Sequence, residues 1–198
     1  MNYEQWRHSA RAWLFHFFGK EDLAYDQYVT AFHHAPSASA ARSLGFIAAT
    51  GERFPEAVSW FEKAVAIEPQ DNDTWFNLGF VRERAGRRDE AIAAFNEATR
   101  LNPAHDRAWY GLGLACAHLG QHAEAAAAFE QAAKLQPMNG DAWYHVGMAQ
   151  HLANNPDRVR KVIEHLRSFD PKRSNRLIRD TERSDLTHLL QEELPYSK

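Results

Sequence analysis

The sequence predicts an all-α fold, a solenoid of helix-turn-helix repeats that ends in a C-terminal capping helix. Three observations predict it. A Trp-x-x-Leu-Gly motif at Trp75 returns at Trp109 and, with valine for leucine, at Trp143, 34 residues apart each time. Glycine or asparagine stands 11 residues after each tryptophan, and a proline closes each unit. A fixed period of this size is typical of stacked units, none of which can bury a core alone.

Five helix pairs and a cap follow from the apolar periodicity and from the placement of glycine and proline. Pro55 suits the first turn of a helix, where no backbone N–H is needed. Gly51 is predicted in the turn of the second pair, and Asn154 replaces glycine in the fifth because asparagine tolerates a left-handed backbone. After Pro171 an apolar stripe on a charged segment predicts a cap, with a break near Ser184. The predicted paired helices cover residues 4–18, 23–34, 39–50, 55–67, 74–85, 88–101, 108–119, 123–135, 142–152 and 156–169.

Four glycines lie inside predicted first helices, where each costs about 1 kcal/mol of helix propensity relative to alanine. They are Gly45, Gly79, Gly113 and Gly147. The expected compensation is a close approach of helix backbones, with the glycines facing Ala57, Ala91 and Ala125 of the second helices. The three motif tryptophans are expected to fill the gaps between neighbouring repeats as packing residues.

The repeated residues resemble the tetratricopeptide repeat. The third and fourth repeats carry the resemblance with Trp75, Leu78, Gly79, Ala91, Phe95, Ala98 and Pro103, and with Trp109, Leu112, Gly113, Ala125, Phe129, Ala132 and Pro137. It covers residues 5–173 and implies a right-handed superhelix in which first helices line the concave face. The implied repeats are 5–37 (degenerate), 38–71, 72–105, 106–139 and 140–173, followed by a capping helix and tail over 174–198.

If the first helices line the concave face, the positions one and five residues after each tryptophan form an inner surface. Together with their equivalents in weaker repeats and one further turn, these positions define the groove set: Trp13, Phe46, Phe76, Phe80, Glu83, Tyr110, Leu114, Tyr144, Met148 and His151. An apolar surface of this extent is typical of a binding site. The alternative is that the curvature of the array, the aromatic N-terminal helix or the C-terminal segment buries part of it.

We therefore expect a non-catalytic adaptor, scaffold or assembly chaperone that binds a peptide or helical segment of another protein in this groove. The alternative is a structural protein that self-assembles into homo-oligomers through its aromatic N-terminal repeat. Arg42, Asn77 and Arg107 are the only plausible polar donors on the inner face, too few to predict a clamp for an acidic C-terminus.

No enzyme activity, cofactor or metal is expected. The pairs His118–His122 and Asp141–His145 are four residues apart but have no evident third ligand. The single cysteine, Cys116, excludes an intramolecular disulfide and is expected to be a small buried hydrophobe. In the groove, His16, Glu83, His145 and His151 are the only titratable candidates for chemistry.

Charge and hydropathy set the remaining expectations. A formal net charge of −3 argues against a nucleic-acid partner, and no apolar run approaches the roughly 20 residues that span a membrane. A cytoplasmic location is expected. The segment from Arg158 to Arg183 has nine basic and four acidic side chains. A solvated cap is the expected reason for this excess, and an acidic or RNA partner is the alternative.

Overall fold

The computed structural model describes residues 3–191, and this part of the chain is helical with no strand. The chain separates into two compact units, Met1–Asn102 and Pro103–Lys198. The first unit contains α1 (Tyr3–Phe17), α2 (Glu21–His34), α3 (Ala38–Thr50), α4 (Phe54–Ile67), α5 (Asn72–Arg84) and α6 (Arg88–Leu101). The second contains α7 (Asp106–His118), α8 (His122–Leu135), α9 (Gly140–Leu152), α10 (Pro156–Arg167), α11 (Pro171–Asp180) and a 3₁₀ helix (Ser184–Leu189). The prediction of paired helices is confirmed.

First helices begin at side-chain caps that supply partners for otherwise unpaired backbone N–H groups. Ser37 accepts from the N–H of Ala40 before α3, and Asp71 accepts from two N–H groups before α5. Asn139 accepts from the N–H of Ala142 before α9. The four second helices from α4 to α10 lack such a bond and begin directly after tight turns.

Each of the five tight turns contains one left-handed residue, and in four of them it is a glycine or asparagine. Gly19, Gly86 and Gly120 have φ values of 68°, 78° and 74°, and Asn154 has 58°. In the second pair Gly51 lies in the turn, as predicted, but it has φ −79° and the next residue, Glu52, takes the left-handed conformation at 56°. Gly51 is therefore not the residue of this turn that needs the left-handed conformation, which glycine adopts most easily.

Three of the four helix glycines, Gly45, Gly79 and Gly113, face aromatic rings, which corrects the expectation that they face alanines. A Cβ at Gly79 would lie 2.7 Å from Phe95, and one at Gly113 would lie 2.7 Å from Phe129. The equivalent distance at Gly45 is 2.8 Å, to Phe61. These phenylalanines of the second helices are all buried, so the glycines exist to admit a ring onto the helix backbone.

The motif tryptophans are half-buried rather than fully buried, and each makes the same hydrogen bond. The indole N–H groups of Trp75, Trp109 and Trp143 donate to the carbonyl oxygens of Pro69, Pro103 and Pro137 at 2.8, 2.9 and 2.9 Å. Each tryptophan therefore ties a first helix to the proline that closes the preceding repeat, six residues earlier. This bond, added to the packing of the ring, accounts for the constant six-residue step from the closing residue of one repeat to the tryptophan of the next.

Each unit has its own buried core. In the first unit it includes Leu44, Phe61, Val58, Leu78 and Val81, with Trp60 and Ala64 packed among helices α2 to α4. In the second unit the core includes Phe129, Val146, Ile163, Leu166 and Leu177, all at most 1% exposed. Cys116 is also buried, as expected, and burial raises the pKa of its thiol, which keeps it protonated.

Helix α11 begins at Pro171, the residue predicted to close the fifth repeat, so the cap starts three residues earlier than its predicted boundary. Leu177, on α11, is the residue that Gly147 faces, since a Cβ at Gly147 would overlap the Leu177 side chain. The side chain of Arg173 donates two hydrogen bonds of 2.7 Å to Asp141. The cap is thus docked on α9 by both apolar and ionic contacts. A turn separates it from the 3₁₀ helix at Ser184, where the break is predicted.

Candidate partner-binding surface

In the first unit, the groove set lies on helices α1, α3 and α5. Trp13, Phe46 and Phe80 are 60%, 53% and 45% exposed, which is high for side chains of this size. Phe46 and Phe80 are 34 residues apart and occupy equivalent positions of their repeats. The structure therefore leaves a repeated aromatic position open to solvent in this unit.

A cavity of about 270 Å³ lies beside Phe46 in the first unit. His16, Tyr28 and Phe46 line it, together with Ile47 and two hydroxyl side chains of α3, Ser43 and Thr50. Its walls come from three helices, α1, α2 and α3. The combination of an aromatic wall with a few hydroxyl and imidazole groups is typical of a pocket that accepts an apolar side chain with a polar end.

The remaining members in the first unit are partly buried. Phe76 packs on Phe95 of the neighbouring second helix with ring centroids 6.0 Å apart. The side chain of Glu83 is 17% exposed and lies 3.5 Å from the guanidinium of Arg88. These two residues are therefore largely used by packing within the unit. Phe46 and Trp13 also have ring neighbours, Phe61 at 5.8 Å and Phe17 at 5.7 Å between centroids, but each keeps more than half of its side chain exposed.

The second unit presents less of its groove set. Tyr110 packs edge-on against Phe129 and His145, with centroids 5.4 and 5.6 Å apart, and burial raises the pKa of its hydroxyl. Leu114 and Met148 are half-buried, and His151 is exposed. The groove set of the second unit therefore exposes less apolar surface than that of the first unit, and its exposed member is a histidine.

Tyr144 is the member that the cap covers. It is 9% exposed, its hydroxyl donates to Asp180 at 2.5 Å, and the guanidinium of Arg176 lies 4.7 Å from its ring centroid. Both partners belong to α11. At this position the structure matches the alternative in which the C-terminal segment buries part of the inner surface.

The charged C-terminal segment is largely paired. Arg160 and Arg183 both reach Asp185, at 3.2 and 2.7 Å, and Arg158 lies 3.7 Å from Glu130. Salt bridges to Arg183 and Arg160 lower the pKa of Asp185 to about 2. This pairing agrees with a solvated cap more than with a surface of available positive charge.

The titratable candidates are divided between the two units, with His16 and Glu83 in the first and His145 and His151 in the second. His16 bonds to Glu21 at 3.0 Å, while desolvation lowers the pKa of His145, which stacks on Phe129 at 5.1 Å. The carboxylate of Asp141, four residues before His145, accepts two hydrogen bonds from Arg173.

Sequence reasoning missed a different group, formed by Glu4 and His8 of α1 and His34 of α2. Glu4 and His8 stand four residues apart in a predicted helix, which is the spacing that could have revealed them.

Comparisons with known proteins fit this architecture. A tetratricopeptide repeat family model matches residues 22–72 and 76–137, and a second matches residues 117–177. The chain belongs to the tetratricopeptide repeat family. Among curated proteins, no sequence matches this tetratricopeptide repeat chain.

Solved structures share the tetratricopeptide repeat fold at low sequence identity. A crystal structure of MamA protein is 18% identical with a TM-score of 0.78, covering 98% of this chain and all of its own. YrrB, described as a tetratricopeptide repeat protein with an unusual peptide-binding site, is 21% identical with a TM-score of 0.76, covering 89% of this chain and 90% of its own. A tetratricopeptide repeat protein from Parabacteroides merdae is 15% identical with a TM-score of 0.75, covering 96% and 82%. At these identities the likeness concerns the fold.

Proposed function

We propose that this protein is a non-catalytic binding module that holds a segment of a partner protein on the aromatic surface of its first helices. The observation that carries the proposal is the open repeated position, Phe46 and Phe80, with Trp13 on α1. Exposing three large aromatic rings on ordered helices leaves apolar area in water that a partner can bury. The peptide-binding site of YrrB, a protein of the same fold, supports this use of the surface.

The mode of recognition follows from the chemistry of the surface. Phe46 and Phe80 carry no charge, and the cavity beside Phe46 is lined by no lysine or arginine side chain. The fitting partner is therefore a segment with aromatic or aliphatic anchors, not an acidic tail. Each anchor that is well buried contributes on the order of 2 kcal/mol. The proposed role as an adaptor, scaffold or assembly chaperone rests on this mode of recognition.

A displayed random-peptide library, selected against the purified full chain, tests the proposal. Selected peptides are then measured by fluorescence polarisation with wild type and with the double variant Phe46→Ser/Phe80→Ser. Met138→Ser is the matched control, because Met138 is 73% exposed but lies in the turn before α9, outside the groove set. We expect the double variant to weaken Kd by at least about 30-fold, the equivalent of one lost anchor of 2 kcal/mol, and the control to leave it unchanged. Selected peptides that bind the double variant as tightly as wild type would contradict the proposal.

The second candidate is self-assembly through the N-terminal repeat, and the exposed face of α1 favours it. Besides Trp13, that region exposes Tyr3, Trp6, Leu14, Phe17 and Phe18, each by 46% or more. Sedimentation velocity over a dilution series tests this function. Concentration-dependent association that Trp6→Ser/Phe17→Ser abolishes would support it, and a monomer at every concentration would reject it.

A further inference from the structure

We propose that Glu4, His8 and His34 form a binding site for one zinc ion in the first helix pair. One carboxylate oxygen of Glu4 and one ring nitrogen from each histidine lie within 4.8 Å of one another. Glu4 and His8 are one turn apart on α1, and His34 is the last residue of α2. Two imidazoles and a carboxylate are a known zinc ligand set, which leaves a fourth position for water.

His8 is the fixed member of this site. Its side chain is 12% exposed, and its Nδ1 lies 2.8 Å from Oε1 of Gln27 on α2. An amide oxygen only accepts, so in this assignment Nδ1 carries the proton and donates, which leaves a lone pair on Nε2 for the metal. A hydrogen bond of this kind from the second nitrogen is the usual way in which proteins orient a metal-binding histidine.

The two helices that carry the ligands are held together next to the site. Gln5 is buried, and its Nε2 donates to the carbonyl oxygen of Ala35 at 3.1 Å, beside His34. The rings of His8 and His34 have centroids 5.5 Å apart and planes inclined by 14°. Two imidazoles that share one zinc at tetrahedral angles place their centroids about 5 Å apart, given Zn–N distances of about 2.0–2.1 Å. The rings therefore already have the separation that a shared ion requires.

The remaining adjustment falls on exposed side chains. Ligand atoms around one tetrahedral zinc are about 3.3 Å apart, so the present group must contract by about 1.5 Å at most. Glu4 has a side chain that is 43% exposed, and His34 is also exposed. Both can turn toward His8 without disturbing the core.

Arg7 is the competing cation at this site. Its guanidinium lies 2.6 Å from Glu4 and 3.4 Å from Nε2 of His8. In this structure it donates to the same atoms that would bind the ion. Zinc must therefore displace Arg7, whose side chain is 38% exposed and can move into solvent. It follows that removing the Arg7 charge should tighten zinc binding.

The test is a zinc titration of the tag-free full chain, followed by isothermal calorimetry. We expect one zinc per chain in wild type, with Kd raised at least about tenfold in His8→Gln, His34→Gln and Glu4→Gln. His33→Gln is the matched control, because His33 is an exposed neighbour of His34 outside the group. Arg7→Ala is expected to lower Kd. Magnesium, which prefers oxygen ligands, is expected not to compete.

Two further measurements separate loss of the site from loss of the fold. Thermal unfolding without metal should be unchanged in His34→Gln and Glu4→Gln, because both side chains are solvent-accessible. Cobalt added at one equivalent should give a visible d–d spectrum in wild type that these two variants lack. The proposal is wrong if wild type binds no zinc at one per chain, or if His34→Gln and Glu4→Gln bind it as wild type does.

Discussion

The substitution Gly79→Ala tests why glycine recurs inside the first helices. The added methyl group would lie 2.7 Å from Cδ1, 2.8 Å from Cε1 and 3.0 Å from Cγ of Phe95. Carbon atoms in contact prefer about 3.5–4.0 Å, so the ring must retreat by about 1 Å. Phe95 is 2% exposed and is packed by Phe76, so it has no open space on that side.

The expected change in stability is the difference between two opposed effects. Overpacking of a rigid, buried ring costs about 3 kcal/mol, the upper end for added methyl groups. Alanine in place of glycine returns about 1 kcal/mol of helix propensity. The net loss is about 2 kcal/mol, which for a chain of 198 residues lowers Tm by about 4–8 °C.

Thermal and urea unfolding followed by circular dichroism measure this change. The control is the same substitution in a Phe95→Leu background, where Cε1 is absent and the branched end can rotate away. We expect a favourable coupling of at least about 1 kcal/mol between the two positions. A Gly79→Ala protein as stable as wild type, or more stable, would refute the account of the glycines as sites of ring contact.

Two further predictions concern the cap and the second turn. Arg173→Gln removes two hydrogen bonds to Asp141 and one to Asp170, and should lower Tm at pH 7 by about 1–4 °C, the range for exposed ion pairs. Because the bonds to Asp141 lower the pKa of that carboxyl below its unfolded value of about 3.9, the wild-type advantage is present above that pH and shrinks as pH falls through the lower folded pKa. Tm measured from pH 7 to pH 2.5 checks this, and a difference independent of pH would contradict it. Glu52→Gly relieves a left-handed φ of 56° and should raise Tm by about 1–4 °C, whereas Gly51→Ala, at φ −79°, should not lower it through strain.

The sequence predicts the helices well because their signals are local. The left-handed turn residue and the closing proline each determine the backbone within a few residues of their own position. The 34-residue period repeats these local signals along the chain. Asn154, expected to replace a turn glycine, does so with φ 58°. The second turn differs because Gly51 and Glu52 are adjacent, and composition alone does not show which of the two takes the left-handed conformation.

The contacts between helices are less predictable because they depend on rotation about the helix axis. The glycines face Phe61, Phe95 and Phe129 rather than alanines four residues before each, since the rings lie one helical turn further along the second helix. In the same way Tyr144 shares a repeat position with Tyr110, but α11 covers only Tyr144. A rule based on repeat positions assigns both residues the same environment. It does not account for the cap, which packs only on the last repeat.

The group of Glu4, His8 and His34 shows a different limit. Two of its members have a recognisable spacing in one helix, but the third lies 26 residues later than His8 in the sequence. Only the packing of α1 on α2 brings it near. The expectation that the chain binds no metal rested on residue pairs in the fourth and fifth repeats, where the sequence shows no third ligand.

The exposed aromatic positions of the first helices are the central claim, and one measurement tests them most directly. It is the Kd of library-selected peptides for wild type, Phe46→Ser/Phe80→Ser and the control Met138→Ser. The account predicts that the double variant binds at least about 30-fold more weakly while the control binds as wild type does. Equal affinity for all three proteins would contradict it and would assign recognition to another surface.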